Sequence, residues 1–462
     1  MMNDKPNIYF IGAGGIGMAA LERYFLAKGK KIAGYDRTPT DLTRKLEEEG
    51  VEITYVDDPA GIPSSMRDPA TTLVVYTPAV PADSPIMLWF VENGFKPVKR
   101  AAVLGEVTRT SSGICVAGTH GKTTTSSMIA HLLHESKVGC NAFLGGVVRN
   151  YGTNFLLDPE SDFSVIEADE YDRSFHHLSP HIAVITSAEP DHLDIYGTKE
   201  AYLESFAKFT KLIRQGGALL IRTDLEVKPR TANGVTIHTY SRDTGDYHAD
   251  NIRYSDGSIT FDFIGPEIRI DNISLGVPVE INIENAVAAL AAVHLAGQLE
   301  PTAARKAMAS FMGPKRRFEF HLKEKGERRH VIIDDYAHHP GELSASISSV
   351  KKLFPSGHLT VAFQPHLFSR TRDFAQDFAS ALDMADAVLL LDIYPARETP
   401  IPGVTSEIIY NRINTVDKEL ISKQNLTETL KRRNFEILLT AGAGDICDAL
   451  PEIVEEFKSK GN

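Results

Sequence analysis

The run Cys115-Val116-Ala117-Gly118-Thr119-His120-Gly121-Lys122-Thr123-Thr124-Thr125 brings two glycines, a lysine and four threonines to one strand-to-helix junction. The apolar stretch Gly113 to Ala117 reads as a buried strand, and Thr123 to His134 as the helix after it. Without side chains, Gly118 and Gly121 let backbone amides converge on phosphate oxygens at a helix N-terminus, where the dipole favours anions. Lys122 adds a positive charge, and Thr123 a hydroxyl for Mg2+. Thr119, His120 and Thr124 complete the loop, which is the short G-x-x-G-K-T form because Val116 stands where the longer motif has its first glycine. Such a loop handles a nucleoside triphosphate.

Six further groups could carry chemistry, five of them where apolar strands end. Gly12-Ala13-Gly14-Gly15-Ile16-Gly17 follows a strand, and Asp36 closes the next one. Gly12, Gly14, Gly15 and Gly17 let a diphosphate approach the backbone, a requirement that a dinucleotide cofactor and a nucleotide-sugar both meet. Glu167-Ala168-Asp169-Glu170 places carboxylates at the end of a strand in the same unit as the phosphate loop, which suits a Mg2+ ligand better than a solvated loop. In the segment Ala188 to Asp194, His192 is either a metal ligand or a surface histidine. Lys315-Arg316-Arg317 follows a Gly313-Pro314 break, where an arginine could stabilise a transferring phosphoryl group. Asp334 to Pro340 and Gln364 to Arg372 supply histidine, tyrosine and arginine, a set able to bind a small amino acid's carboxylate and position its amine, or else to cap helices.

The elements that must position these groups are parallel strands with helices between them. Strands are expected at Asn7 to Ile11, Lys31 to Tyr35, Leu73 to Tyr76, Ser164 to Ala168, Ile182 to Thr186 and Ala218 to Ile221. Helices are expected over Met18 to Lys28 and Ala201 to Arg214. Val235 to Val277 alternates in short segments with Asp-Gly and Gly-Pro turns, which suggests an antiparallel appendage. Asn285 to Gly297 reads as a packed helix, and four more strands follow Gly313-Pro314, at Val331, Leu359, Ala387 and Glu436. The expectation is an α/β chain of three domains, 1–110, 111–312 and 313–462, each on a largely parallel sheet with flanking helices. With 49 Lys and Arg against 61 Asp and Glu, the net charge of −12 argues against general nucleic-acid binding. Three scattered cysteines indicate neither a disulfide framework nor a zinc site and suit a cytoplasmic protein. No apolar run approaches the roughly 20 residues needed to span a bilayer, so no membrane insertion is expected.

Gly-Thr-His-Gly-Lys-Thr-Thr-Thr at 118–125, Glu-Ala-Asp-Glu at 167–170, Asp-His-Leu-Asp at 191–194, Arg-Arg-Phe at 316–318, Asp-Asp-Tyr-Ala-His-His-Pro at 334–340 and Gly-Ala-Gly-Asp at 442–445 occur in the order found in the Mur ligases, and the chain resembles that family over nearly its whole length. The resemblance implies a Rossmann-like amino-terminal domain for a UDP-sugar, a central P-loop ATPase domain, and a Rossmann-like carboxy-terminal domain for an amino acid. Its implied activity is ATP-dependent amide formation in peptidoglycan precursor synthesis, joining L-alanine to the lactyl carboxylate of UDP-N-acetylmuramate. The family's Mg2+, for which Mn2+ can substitute, would meet Thr123, Glu167 and His192. Asn285 would approach adenine and Arg317 the phosphates. Gly12, Gly14, Gly15 and Gly17 would cradle the UDP diphosphate, with Asp36 toward uridine. Tyr336, His338 and Arg370 would line the alanine site, and His338 is the candidate proton acceptor. Small molecules are the implied partners, with a monomer or weak homo-oligomer as the assembly. Two positions depart from the family pattern: Ile281 replaces a histidine and Leu367 an arginine.

Overall fold

β1 (Asn7–Ile11), β2 (Lys31–Tyr35), β3 (Glu52–Thr54), β4 (Thr72–Tyr76) and β5 (Val98–Lys99) form a sheet in the order β3-β2-β1-β4-β5, parallel throughout. β1 is buried along its length because both faces are covered, as parallel sheets require. Ile8 and Phe10 join a core with Met18, Leu21 and Phe25 of the helix Ile16–Ala27, whereas Tyr9 and Ile11 join Ile86 and Phe90. The alternation follows from the two-residue period of a strand. The computed structural model describes residues 5–458 except Pro78, Ala82, His192, Asp256, 325–329, Arg397 and Asn434.

A second sheet contains β6 (Ser112–Ala117), β7 (Asn141–Val148), β8 (Thr153–Leu156), β9 (Phe163–Ala168), β10 (Ile182–Ile185), β11 (Ala218–Arg222) and β12 (Thr236–Tyr240) in the order β12-β11-β10-β6-β9-β7-β8. Only the β7–β8 pair is antiparallel. The register Ala168–Ala117–Ile185 brings the C-terminal ends of β9, β6 and β10 to one edge. Ile114, Cys115 and Val116 are no more than 1% exposed, and each such apolar side chain contributes about 1.5–3 kcal/mol of burial, so the edge rests on a rigid base. The antiparallel reading of Val235 to Val277 is corrected at its start: β12 continues the parallel sheet beside β11. As the edge strand, β12 is exposed at Thr236 and Ile237 and buried only at Tyr240, so it lacks the unbroken apolar run that marks the inner parallel strands. A small third sheet follows, with β13 (His248–Ser255), β14 (Ser258–Gly265) and β15 (Ile268–Ser274) neighbouring in chain order.

The fourth sheet has β16 (Glu319–Lys323), β17 (Val331–Asp335), β18 (Leu359–Phe363), β19 (Ala387–Leu391), β20 (Lys418–Ile421) and β21 (Ile437–Ala441) in the order β16-β17-β21-β18-β19-β20. Only β16 runs antiparallel to its neighbour. Asp335, Ala441 and Phe363 are in register, so the segments after β17, β21 and β18 share an edge. By compactness the chain divides into two units: Met1–Asp250 with Asp262–Ile273 and Glu284–Ser310, and Asn251–Phe261 with Ser274–Ile283 and Phe311–Asn462. Among the described residues no helix is long and apolar enough to cross a membrane.

Glu22, in the helix Ile16–Ala27, is fully buried, and among the described residues neither carboxyl oxygen has a hydrogen-bond partner. Burial raises its pKa well above the carboxylate range, with Asp36 and Glu49 adding to the rise and Arg23 opposing it. A raised folded-state pKa favours the fold at pH below the unfolded value near 4.3 and disfavours it increasingly as pH climbs toward the folded value. Glu22→Gln is therefore expected to raise the melting temperature at pH 8 and to have less effect at pH 4.5, measured by calorimetry at both. An equal shift at both pH values would contradict this.

Candidate active site

At the edge after β6, Gly118 and Gly121 have φ of +148° and +82°. A Cβ at Gly118 would lie 2.1 Å from Thr186 Oγ1, so glycine is required by both conformation and space. The segment just after β10, the neighbour of β6, holds it in place: Thr186 donates to the His120 carbonyl at 2.6 Å, and the His120 amide donates to Ser187 Oγ at 2.7 Å. Thr119 Oγ1 lies 2.8 Å from Tyr202 OH. The helix Lys122–Glu135 begins at N-cap Gly121. Gly121, Lys122, Thr123 and Thr124 thus carry the amides that helical geometry leaves without an intrahelical acceptor. Those amides are the groups that the expected anion cradle would use.

Lys122 Nζ donates to the Gly118 carbonyl and lies 2.9 Å from a Glu170 carboxylate oxygen. Burial raises the Glu170 pKa, against the lowering effect of Lys122. On β9, Glu167 accepts from the Gly145 amide at 2.9 Å, with the Thr123 hydroxyl near enough to help lower its pKa. Burial lifts its pKa, while Thr123, Lys122 and Gly145 pull it down and Asp169 raises it again. A Cβ at Gly145 would fall 2.5 Å from both Glu167 carboxyl oxygens. Among the described residues no three His, Cys, Asp or Glu side chains gather as a complete metal cage. Mg2+ suits the site nonetheless, because it takes one or two oxygen donors from protein and the rest from water and phosphates, and Thr123 and Glu167 offer adjacent hydroxyl and carboxyl oxygens. His192 lies outside the described residues. Asn285 is nearly buried beside this loop: its Oδ1 accepts from Thr125 Oγ1 at 3.2 Å and lies 2.9 Å from where a Gly121 Cβ would stand.

In the glycine turn after β1, Gly12 has φ of +89°. Its amide and that of Ala13 bond to the Tyr35 carbonyl. Asp36 accepts from the Gly14 amide at 2.7 Å and the Thr38 amide at 3.0 Å, so its carboxylate braces the turn. Gly15 is the N-cap of the helix Ile16–Ala27. A Cβ on Gly17 would stand 2.2 Å from Arg100 Nη1. Arg100 opens the helix Arg100–Arg109, and burial depresses its pKa while Asp169 and Glu167 oppose that depression. One guanidinium thus connects the glycine turn electrostatically with the acidic end of β9.

The edge of the fourth sheet gathers the remaining candidates. Arg316 donates to the Gly442 and Gly444 carbonyls at 2.7 and 3.1 Å and pairs with buried Asp334 at 3.3 Å. It fixes the turn after β21. Arg317 lies over the Tyr336 ring, 5.8 Å from its centroid. His338 Nδ1 sits 2.9 Å from the Tyr336 carbonyl and 3.3 Å from Glu342 Oε2. Those acceptors assign the proton to Nδ1 and leave Nε2 as a lone pair. Burial lowers the His338 pKa, opposed by Glu342, which favours the neutral ring. The His338 and His366 rings are 6.1 Å apart, and Arg370 Nη1 lies 3.5 Å from His366 Nδ1. Tyr336, His338 and Arg370 are therefore brought to one edge.

The three family models that match are the Mur ligase middle domain over residues 116–293, the Mur ligase family catalytic domain over 7–112, and the Mur ligase glutamate ligase domain over 316–446. The UDP-N-acetylmuramate--L-alanine ligase of Phocaeicola vulgatus is 56% identical over 453 residues, 98% of each chain. The chain belongs to the Mur ligase family. The enzyme of the same name from Parabacteroides distasonis is also 56% identical, over 99% of this chain and 98% of that one. Among solved structures, that of UDP-N-acetylmuramate-alanine ligase MurC from Thermotoga maritima is similar with a TM-score of 0.79 at 25% identity, covering 98% of this chain and all of that one, 100%. A murein peptide ligase from Psychrobacter arcticus shares the fold, with a TM-score of 0.61 at 21% identity and 99% coverage of both chains.

Against this Mur ligase framework, the residues that sequence reasoning missed are supports rather than motif members. Thr186, Ser187 and Tyr202 are neutral side chains that become visible only when β10 is set beside β6. Arg100 is a single arginine at a helix start, and nothing in its neighbourhood spells a motif. Of the two departures from the family pattern, Ile281 is half exposed, whereas Leu367 has φ of +70°.

Proposed function

We propose that this Mur ligase joins L-alanine to the lactyl carboxylate of UDP-N-acetylmuramate at the expense of ATP, releasing ADP and phosphate. The observation that carries the reading is the edge formed by β6, β9 and β10, where a phosphate loop with Lys122 adjoins the Thr123–Glu167 pair. Its substrate assignment draws on the relatives' names and on the histidine, tyrosine and arginine group at the fourth sheet's edge. In this reading residues 1–110 hold the UDP-sugar, with Gly12, Gly14, Gly15, Gly17 and Asp36 forming the diphosphate turn. Residues 111–312 hold ATP, with Asn285 on the nucleotide side of the loop. Residues 313–462 hold the amino acid, and Arg317 serves the phosphates.

A free carboxylate is a poor acyl donor, so one carboxylate oxygen attacks the γ-phosphorus and the bond to the β-phosphate oxygen breaks, with ADP leaving. The amine nitrogen of L-alanine then attacks the acyl carbon, a tetrahedral intermediate forms, and the C–O bond breaks to release phosphate. Phosphoryl transfer asks the protein mainly for position and charge, which Lys122, Arg317 and the amides of 121–124 supply. Thr123, Glu167 and, by family resemblance, His192 would hold Mg2+, which when bound would supply positive charge to the phosphates. The attacking amine must lose its extra proton, and neutral His338 offers Nε2 to take it. His338→Gln is expected to lower kcat at saturating L-alanine; an undiminished rate would remove His338 from this role.

Phosphate release measured with ATP, UDP-N-acetylmuramate and, in parallel, L-alanine, glycine, L-serine or a tripeptide tests the assignment. Release that needs the sugar nucleotide and is fastest with L-alanine is expected. Preference for the tripeptide would reassign the amine substrate, and release without any UDP-sugar would overturn the reading.

A further inference from the structure

The helix that carries Arg370, Phe368–Asp373, is only six residues long and starts from a leucine in a conformation that side chains avoid. Leu367 has φ of +70° and ψ of 136°, a region that glycine occupies freely and a β-carbon does not. Such a backbone persists only where its surroundings over-determine it, and it marks a place where geometry is being imposed.

The imposing partner is the segment after β19. Its Tyr394 forms a bridge with His366: the Leu367 amide donates to the Tyr394 carbonyl at 3.0 Å, and the Tyr394 amide to the Pro365 carbonyl at 2.8 Å. The His366 and Tyr394 rings stack at 5.9 Å with 13° between their planes. One step further on, Glu398 accepts the Ser369 amide at 2.9 Å through one oxygen and the Ser369 hydroxyl through the other. Those bonds come first among the influences that hold its carboxyl below the usual range, and Arg370 adds to them.

We propose that Glu398 is a positioning residue for amino-acid binding: by gripping both polar groups of Ser369 it locks the strained Leu367 turn and aims Arg370 at the substrate carboxylate. The inference rests on the reading of Arg370 as part of the alanine site. Glu398 itself needs no contact with substrate. A carboxylate gripping an amide and a hydroxyl makes charge-assisted bonds, which exceed neutral ones in strength.

Steady-state kinetics on the full chain with Glu398→Gln, Arg370→Ala and the double variant test this. Glu398→Gln is expected to raise KM for L-alanine about tenfold, the loss of a hydrogen bond to a charged group, with KM for ATP and for the UDP-sugar unchanged. In the Arg370→Ala background the same substitution should add nothing, because its effect passes through Arg370. Additive losses, or KM values for all three substrates rising together, would overturn the proposal. If Arg370→Ala raises KM for L-alanine and Glu398→Gln does not, Glu398 has no such role although the site reading stands. If Arg370→Ala leaves that KM unchanged, the site reading itself fails. Should Glu398→Gln not fold, Ser369→Ala decides in its place: it removes one of the two bonds and keeps the charge, and an unchanged KM for L-alanine overturns the proposal.

Discussion

Lys122→Met is expected to lower the rate of ATP-dependent phosphate release by about a hundred- to a thousandfold, the cost of removing one preorganised charged donor from a reacting phosphoryl group. The ammonium already lies among the loop's own groups, on the Gly118 carbonyl and against Glu170, so little of its reach depends on ligand-driven ordering. The same substitution has a second, separable effect. Glu170 is 2% exposed and the Lys122 side chain 14%, so the pair is a buried one, and deleting its cation costs about 3–5 kcal/mol. Because burial raises the Glu170 pKa, that destabilisation is largest at pH above the raised value and shrinks as the carboxyl protonates on acidification. Lys122→Met with Glu170→Gln should recover the melting temperature at pH 8 but not the rate. Recovery of both in the double variant would show that Lys122 serves the fold and not the phosphates.

Gly145→Ala should weaken Mg2+ activation by about 10- to 100-fold, the range seen when an outer partner of a metal ligand is altered. The new Cβ would stand 2.5 Å from both carboxyl oxygens, far inside contact distance, and either the Gly145 amide bond or the Glu167–Thr123 pairing must give way. Gly145 itself is exposed and its φ is not in the left-handed region, so the strand should survive. The measurement is the Mg2+ concentration giving half-maximal rate at saturating ATP, with the melting temperature as the control. An unchanged Mg2+ dependence would detach Glu167 from the metal.

The chemistry-bearing residues were legible because they sit at the C-terminal ends of parallel strands, and parallel strands announce themselves as short unbroken apolar runs. β1, β2 and β6 appear within a residue of where their composition puts them, and Gly12, Gly118 and Gly121 in the turns after β1 and β6 have positive φ. β7 and β8 were not legible. Gly145 and Gly146 interrupt the apolar pattern of β7, yet that interruption is what admits the Glu167 carboxylate. β12 misled for a related reason, an edge strand exposed at its start and without an unbroken apolar run. Supports such as Tyr202, Arg100 and Glu398 escaped because each acts across more than 25 positions of sequence, where spacing carries no signal. A motif names the groups that meet the ligand; the groups that hold them steady emerge only when strands are placed side by side.

Activation of the sugar's own carboxylate by the γ-phosphoryl group is the step on which the account turns. UDP-N-acetylmuramate labelled with 18O in both lactyl carboxylate oxygens reports it directly by mass spectrometry of the released phosphate. One labelled oxygen per phosphate, with the other retained in the new amide carbonyl, is the predicted result. Amide formation accompanied by unlabelled phosphate would contradict it.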